Sequence, residues 1–258
     1  MYFYKMGKLI KTMVFFVLLS GRIYCQDLPP IQLDRPDQTE CPFITPVKYI
    51  QAENGFTFEN TSSRSNCFSY PSALWKYGIN EKMEFRLITE FVSLQQDKTV
   101  LSGLTPVTLG FKTALLEEKG IIPKTSFIGH ITTAEMGSSD FHTKYLAPSF
   151  RFTMQHTLTK KISLAYNLGM EWDGETAKHT YIYTLTTGVS LTDRLGCYAE
   201  LYGFISNYGN PDHRCDGGFT WLINNNIMAD LSGGIGITDN APDGYLSLGF
   251  SYRFKVLR

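Results

Sequence analysis

Read at every second residue, the stretch YLSLGFSYRF near the carboxyl end (Tyr245 to Phe254) separates into two rows. Leu246, Leu248, Phe250, Tyr252 and Phe254 are apolar or aromatic, whereas Tyr245, Ser247, Gly249, Ser251 and Arg253 are mostly small or polar. Alternation at period two predicts a β-strand whose two faces meet different surroundings. The segment ISLAYNLGMEWDG repeats it, with Ile162, Leu164, Tyr166, Leu168, Met170 and Trp172 opposite Ser163, Ala165, Asn167, Gly169, Glu171 and Asp173. NIMADLSGGIGIT does the same from Ile227, and KMEFRLITEF sets Met83, Phe85, Leu87 and Phe91 against Glu84, Arg86 and Glu90, with Ile88 and Thr89 out of pattern.

A short outline recurs between strands: INEKMEF from Ile79, LTKKISL from Leu158, LTDRLGC from Leu191 and INNNIMA from Ile223. Each runs apolar, Thr or Asn, two polar residues, then the first apolar residue of the next strand. The repeating unit is therefore a hairpin plus its return loop, with a tight turn at one end. The connections between these turns, such as TAEMGSSDFHT near 133 and TDNAPDG near 238, are longer and rich in Gly, Asn, Asp and Ser. The pattern predicts about twelve strands, centred near residues 54, 72, 88, 109, 128, 149, 167, 184, 201, 219, 232 and 249. Pro71 and Pro148 weaken the second and sixth, because proline cannot donate to a ladder.

The polar rows decide the class. They are built of Gly, Ala, Ser and Thr with sparse single charges, where a water-exposed sheet would carry more Lys and Glu. No stretch after Gln26 is apolar enough for a spanning helix, so membrane entry would need a closed barrel. Short turns at one rim, longer loops at the other, and aromatic ends to the apolar rows (Trp75, Tyr77, Trp172, Tyr252, Phe254) fit that requirement. The expected fold is all-β, a single transmembrane antiparallel barrel of about twelve strands in the bacterial outer membrane, its outer surface in lipid. The alternative, a soluble sandwich, would bury the apolar rows in a dry core.

The amino terminus carries Lys5, Lys8 and Lys11 ahead of MVFFVLL, the order of a secretory signal. Residues 1–25 are thus assigned to a signal peptide, 26–48 to a periplasmic N-terminal segment and 49–258 to the barrel. Arg22, Ile23 and Tyr24 are a poor approach to a lipid-modified Cys25.

Composition removes other classes. The 24 basic and 24 acidic side chains balance, which gives nucleic acid no electrostatic attraction. Cys41, Cys67, Cys197 and Cys215 lack metal-ligand spacing; export permits disulfides, but the spacing does not demand one. The chain has five histidines but no GxSxG elbow, so no catalytic residues, metal or cofactor are assigned. Asp173, Glu175, Asp239 and Asp243 lie in sequences that suit either calcium or ordinary turns, and turns are the commoner use.

Alternation places Glu84, Arg86, Glu90, Lys112, Arg151, Glu171, Glu200, Asp230 and Arg253 on inward faces. Mixed charges there either select a polar or zwitterionic solute or, the preferred reading, neutralise one another and fill the interior. Ahead of the first strand, Asp34, Arg35, Pro36, Asp37, Thr39 and Glu40 read either as a plug whose charges pair with the lumen or, preferred on sequence alone, as a leader capping the mouth. Oligomeric state is not legible.

LDRPDQTECP (Leu33 to Pro42), with YIQAENGFTFE, LWKYGINEKMEFRL and the closing LGFSYRF, resembles a family of outer-membrane transporters assigned to the meta-pathway of phenol degradation. The similarity runs through most of the chain after the signal. It implies an outer-membrane barrel and passage of a small, hydrophobic or aromatic solute; the other reading is a barrel that binds or recognises through its loops without transport.

Overall fold

The computed structural model describes residues 28–62, 65–207 and 209–256. Residues 1–25, read from the sequence as a signal peptide, lie outside the described residues, Cys25 included. Thirteen strands form one antiparallel sheet: β1 (Tyr49–Ser62), β2 (Ser65–Asn80), β3 (Met83–Gln96), β4 (Thr99–Leu104), β5 (Thr108–Leu116), β6 (Lys124–Thr132), β7 (Ala147–Thr157), β8 (Ile162–Trp172), β9 (His179–Ser190), β10 (Leu195–Ser206), β11 (Asp212–Asn224), β12 (Ile227–Gly236) and β13 (Gly244–Lys255). Neighbours pair in chain order, and β1 pairs with both β2 and β13, so the sheet closes on itself.

The closed wall has twelve staves, because β4 and β5 share one. β5 pairs with the Met83–Ile88 half of β3 and β4 with its Phe91–Gln96 half. Between them lies Thr105-Pro106-Val107, and Pro106 has no N–H to continue the ladder. The free edge at this break is partly covered: Ser138 N–H bonds Leu104 O, and Leu104 N–H bonds Ser138 Oγ. The polar stretch QQDKTVLS from Gln95, loop-like in composition, is thus mostly the β3–β4 hairpin, and most of TSSRSN from Thr61 belongs to β1 and β2.

Pro71 is absorbed by a bulge. Tyr70 and Pro71 together oppose Phe56 on one side and Phe91 on the other, where the register shifts against both neighbours. Pro148 is the second residue of β7 and opposes only Ile131, ahead of the first β7–β8 pair, Ser149↔Glu171.

Facing follows the alternation read from the sequence. On β13, Leu246 and Leu248 are 57% and 56% exposed, while Ser247 and Arg253 are 4% and 5% exposed. Leu168, Leu201, Phe219 and Leu231 likewise present their side chains outward. An apolar belt of this extent around a closed barrel is the surface that lipid requires. Ala52 is outward but fully covered, because its partners on the two flanking strands are Trp75 and Tyr252. The tight turns, at residues 81–82, 158–161, 191–194 and 225–226, share one rim; the loops at 133–146, 173–178 and 237–243 share the other. Exceptions are 117–123, a longer connection on the short-turn rim, and the two-residue turn at Asp97 and Lys98, which closes β3–β4 on the long-loop rim.

In the loop after β8, Asp173 Oδ1 accepts the backbone N–H groups of Glu175 (2.8 Å) and Thr176 (2.9 Å), an Asx turn. Those two bonds hold the Asp173 carboxyl below its ordinary pKa and use the oxygen as a turn former.

Candidate functional site

Inward positions of β1, β2, β3 and β5 carry a buried charge cluster. Lys76 of β2 stands opposite Arg86 of β3, and Glu84 of β3 opposite Lys112 of β5; Glu53 comes from β1. All five are at most 2% exposed. The wall alone therefore holds three cations against two carboxylates, an imbalance that is costly away from bulk water.

The N-terminal segment corrects it. Asp34 accepts from Lys76 (3.0 Å), Arg86 (2.9 Å) and Lys112 (2.8 Å), and Glu40 accepts from Arg86 Nη2 at 2.6 Å. Lys76 also pairs with Glu53, whose other oxygen accepts the backbone N–H of Asp34 (2.9 Å) and Arg35 (3.1 Å). Lys112 Nζ further donates to Cys41 O at 2.8 Å. Burial alone would raise the Asp34 carboxyl, but Lys112, Lys76 and Arg86 overcome it and hold it well below the usual range. The balance for Glu40 is similar, with Arg86 outweighing burial. Burial with Asp34 nearby pushes the Cys41 thiol up to about 12, so it stays protonated and unreactive.

The segment crosses the interior. It enters beside the β12–β13 wall, where Arg253 Nη2 donates to Pro29 O (2.8 Å) and Asn225 O (2.9 Å). Arg35 then donates to Asp230 (3.1 Å) and Ser247 (2.9 Å). Across the barrel, Gln38 N–H bonds Glu200 (2.7 Å), Thr39 Oγ1 bonds Glu200 (2.5 Å), and Asn167 and the Glu40 backbone exchange two bonds. Arg151 donates to Gln38 O at 3.0 Å. The chain returns past Ser126, which donates to Pro42 O, and leaves where Thr45 N–H bonds Glu84. The preferred expectation of a leader that only caps the mouth is not what these contacts describe; opposite charge inside the barrel draws the segment into it.

Gly78 marks the exit, since a Cβ there would fall onto the carbonyl oxygens of Thr45 and Pro46. Gly78→Ala is expected to displace residues 45–48 at a cost of about 1–3 kcal/mol. Limited trypsin digestion would show it as faster cleavage after Lys48, and an unchanged rate would rule out close packing at this point.

Of the charges picked from alternation, Glu84, Arg86, Lys112, Glu200, Asp230, Arg253 and Arg151 all touch the segment. Glu90 and Glu171 lie nearer the long-loop rim, away from those contacts. Sequence reasoning missed Lys76, Glu53 and Asn167. Lys76 was readable, since it sits between the outward aromatics Trp75 and Tyr77, but the break at Pro71 obscured the register. Cys41, Cys67, Cys197 and Cys215 are all free.

Beneath the segment, toward the short turns, lies a cavity of about 530 Å³. Asp37, Thr39 and Pro36 bound it on the segment side, and Gln155, Ala165, Thr186 and Tyr198 are among its wall residues. Toward the long-loop rim the inner face of β10–β13 turns aromatic. There the Tyr245 ring lies over Gly234, and lower, at the cavity, the Tyr198 ring lies over Gly218, positions where a Cβ would strike them. The Arg214 guanidinium stacks 5.9 Å from the Tyr202 ring centre and 5.6 Å from that of Phe204.

A closed, lipid-belted antiparallel barrel with a charged interior is the architecture of outer-membrane channel and porin folds. The chain belongs to the family described as "Putative MetA-pathway of phenol degradation", whose model matches residues 33–254. No curated protein matches the sequence. Among solved structures it is similar to an outer membrane channel from Pseudomonas putida F1, at 10% identity and a TM-score of 0.62 over 82% of this chain and 97% of that one. It is also similar to the KdgM porin, at 10% identity and 0.54 over 79% and 99%, and to the NanC porin, at 8% identity and 0.53 over 79% and 98%. At such identities these likenesses establish the shared fold.

Proposed function

We propose that the protein is a passive outer-membrane channel for a small, hydrophobic or aromatic solute, with the N-terminal segment as the constriction that the solute must pass. The observation that carries this reading is the cavity beneath the segment, which leaves space inside the closed wall along β7–β11, on the short-turn side of the crossing. A volume of about 530 Å³ is in the range of small-molecule sites. Phe204 and Tyr245 give the long-loop half of the interior aromatic surface for a flat apolar solute, and Tyr198 adds a ring to the cavity itself. The family description supports an aromatic class of cargo, and the shared fold supports a passage. The charges picked from sequence act on this reading mainly by holding the segment, and only secondarily as a filter.

Planar-bilayer recording of the purified mature protein tests this. A measurable ion current is expected, interrupted by discrete blocks when a monoaromatic solute is added. Ala165→Trp, which fills the cavity from β8, is expected to lower the current and remove the blocks. A barrel without current or blocks would leave the segment as a permanent plug, and the protein as a binding or structural barrel.

A further inference from the structure

The segment is held by opposite kinds of contact on its two sides. Toward β1–β5, Asp34 and Glu40 meet cations, whereas toward β10 and β11 Asp37 directly precedes Gln38, whose N–H bonds Glu200 (2.7 Å), and Glu200 stands opposite Asp216 across the ladder, so both carboxylates act on Asp37. Glu200 already accepts from Gln38 N–H, Thr39 and Thr186. Asp216 accepts from the Tyr245 hydroxyl, while its other oxygen, the Tyr198 hydroxyl and the buried Ser232 hydroxyl have no hydrogen-bond partner among the described residues.

The nearby cations are engaged elsewhere. Arg35 turns to Asp230, Arg151 of β7 reaches the Gln38 carbonyl, and Arg214 of β11 is taken by Asp212 and Glu59. Tyr202 of β10 adds no positive charge. These side chains do not form a metal-binding group among the described residues. Carboxyls brought together without a cation stay together by keeping a proton. The contact also lies where the cavity stops, because Asp37, Thr39, Thr186 and Tyr198 are all on its lining.

We infer that this contact is a proton-operated latch: while Asp37, Glu200 and Asp216 retain a proton between them the segment stays against β10 and β11, and when that proton passes to water the carboxylates repel and the segment leaves the wall. Burial, and then the Glu200 charge, push Asp37 well above the ordinary carboxyl pKa in the docked state. Docking is therefore strongest below the undocked value, about 4, and weakens as pH rises from there through the raised one. That release opens a path for solute rests on the channel reading; the release itself does not.

Backbone amide exchange at residues 38–40, corrected for the intrinsic pH dependence, separates the two. Between about pH 5 and pH 8.5 protection is expected to fall about tenfold in the native protein, one pKa unit's worth, and to stay nearly level in Asp37→Asn and in Glu200→Gln. Bilayer conductance is expected to rise in parallel in the native protein only. Level protection in the native protein, or an equal fall in Asp37→Asn, overturns the latch. Release without conductance at any pH overturns the channel reading and leaves the latch standing.

Discussion

Replacing Asp34 by alanine is expected to free the N-terminal segment from the barrel and raise the ion conductance of the protein. Among the described residues Asp34 is the carboxylate that Lys76, Arg86 and Lys112 all share, and each is almost fully buried. Without it Lys112 is left, among the described residues, with a distant carboxylate, Glu84 at 3.9 Å, and Lys76 and Arg86 each lose one buried partner. Removing one member of such a buried set costs about 3–5 kcal/mol, because the remaining charges lose their compensation while staying out of water. Asp34→Asn keeps the size and removes the charge, so it should behave like the alanine variant if electrostatics hold the segment. Accelerated proteolysis within residues 28–48 and a larger single-channel current would both register the loss. If the segment stays protected in both variants, packing rather than charge keeps it inside.

The pH dependence of this anchor has the opposite sign to that of Asp37. Its carboxyl is depressed in the docked state, so its contribution is complete above the ordinary carboxyl value of about 4 and fades as pH falls from there. A segment anchored by Asp34 and latched at Asp37 is thus loosened at one end by acid and at the other by base.

Leu248→Arg is expected to be the most damaging substitution on the outer surface. Leu248 lies near the middle of β13, between Phe56 of β1 and Leu231 of β12, on the apolar face. An arginine at the midplane of a lipid-facing strand costs about 2–4 kcal/mol, and long side chains near the rims escape much of that cost by reaching the headgroups. Unfolding in lipid vesicles measures the difference directly. Lys255→Arg, at the end of the same strand, should be neutral, and equal behaviour of the two variants would mean that the belt does not sit in hydrocarbon.

The barrel was legible because its physics is local. Each outward row has one partner, lipid, and each inward row another, so ISLAYNLGMEWDG and YLSLGFSYRF declare their faces without reference to any distant residue. The split stave escaped notice because it depends on Pro106 interrupting one strand while β3 continues past it, a mismatch visible only once the two are paired. Pro71 had the reverse effect: it looked like a strand breaker but is taken up by a bulge against both neighbours.

The amino-acid sequence by itself determined the all-β class, the closed wall and which side chains face inward, since alternation and turn chemistry act over a few residues. Where the acidic and basic residues of LDRPDQTECP find their partners was decided only by the tertiary structure. Asp34 meets Lys112 across 78 positions and Thr39 meets Glu200 across 161. Such pairings arise when closure brings distant strands around one low-dielectric interior, where a charge must find its opposite or keep a proton.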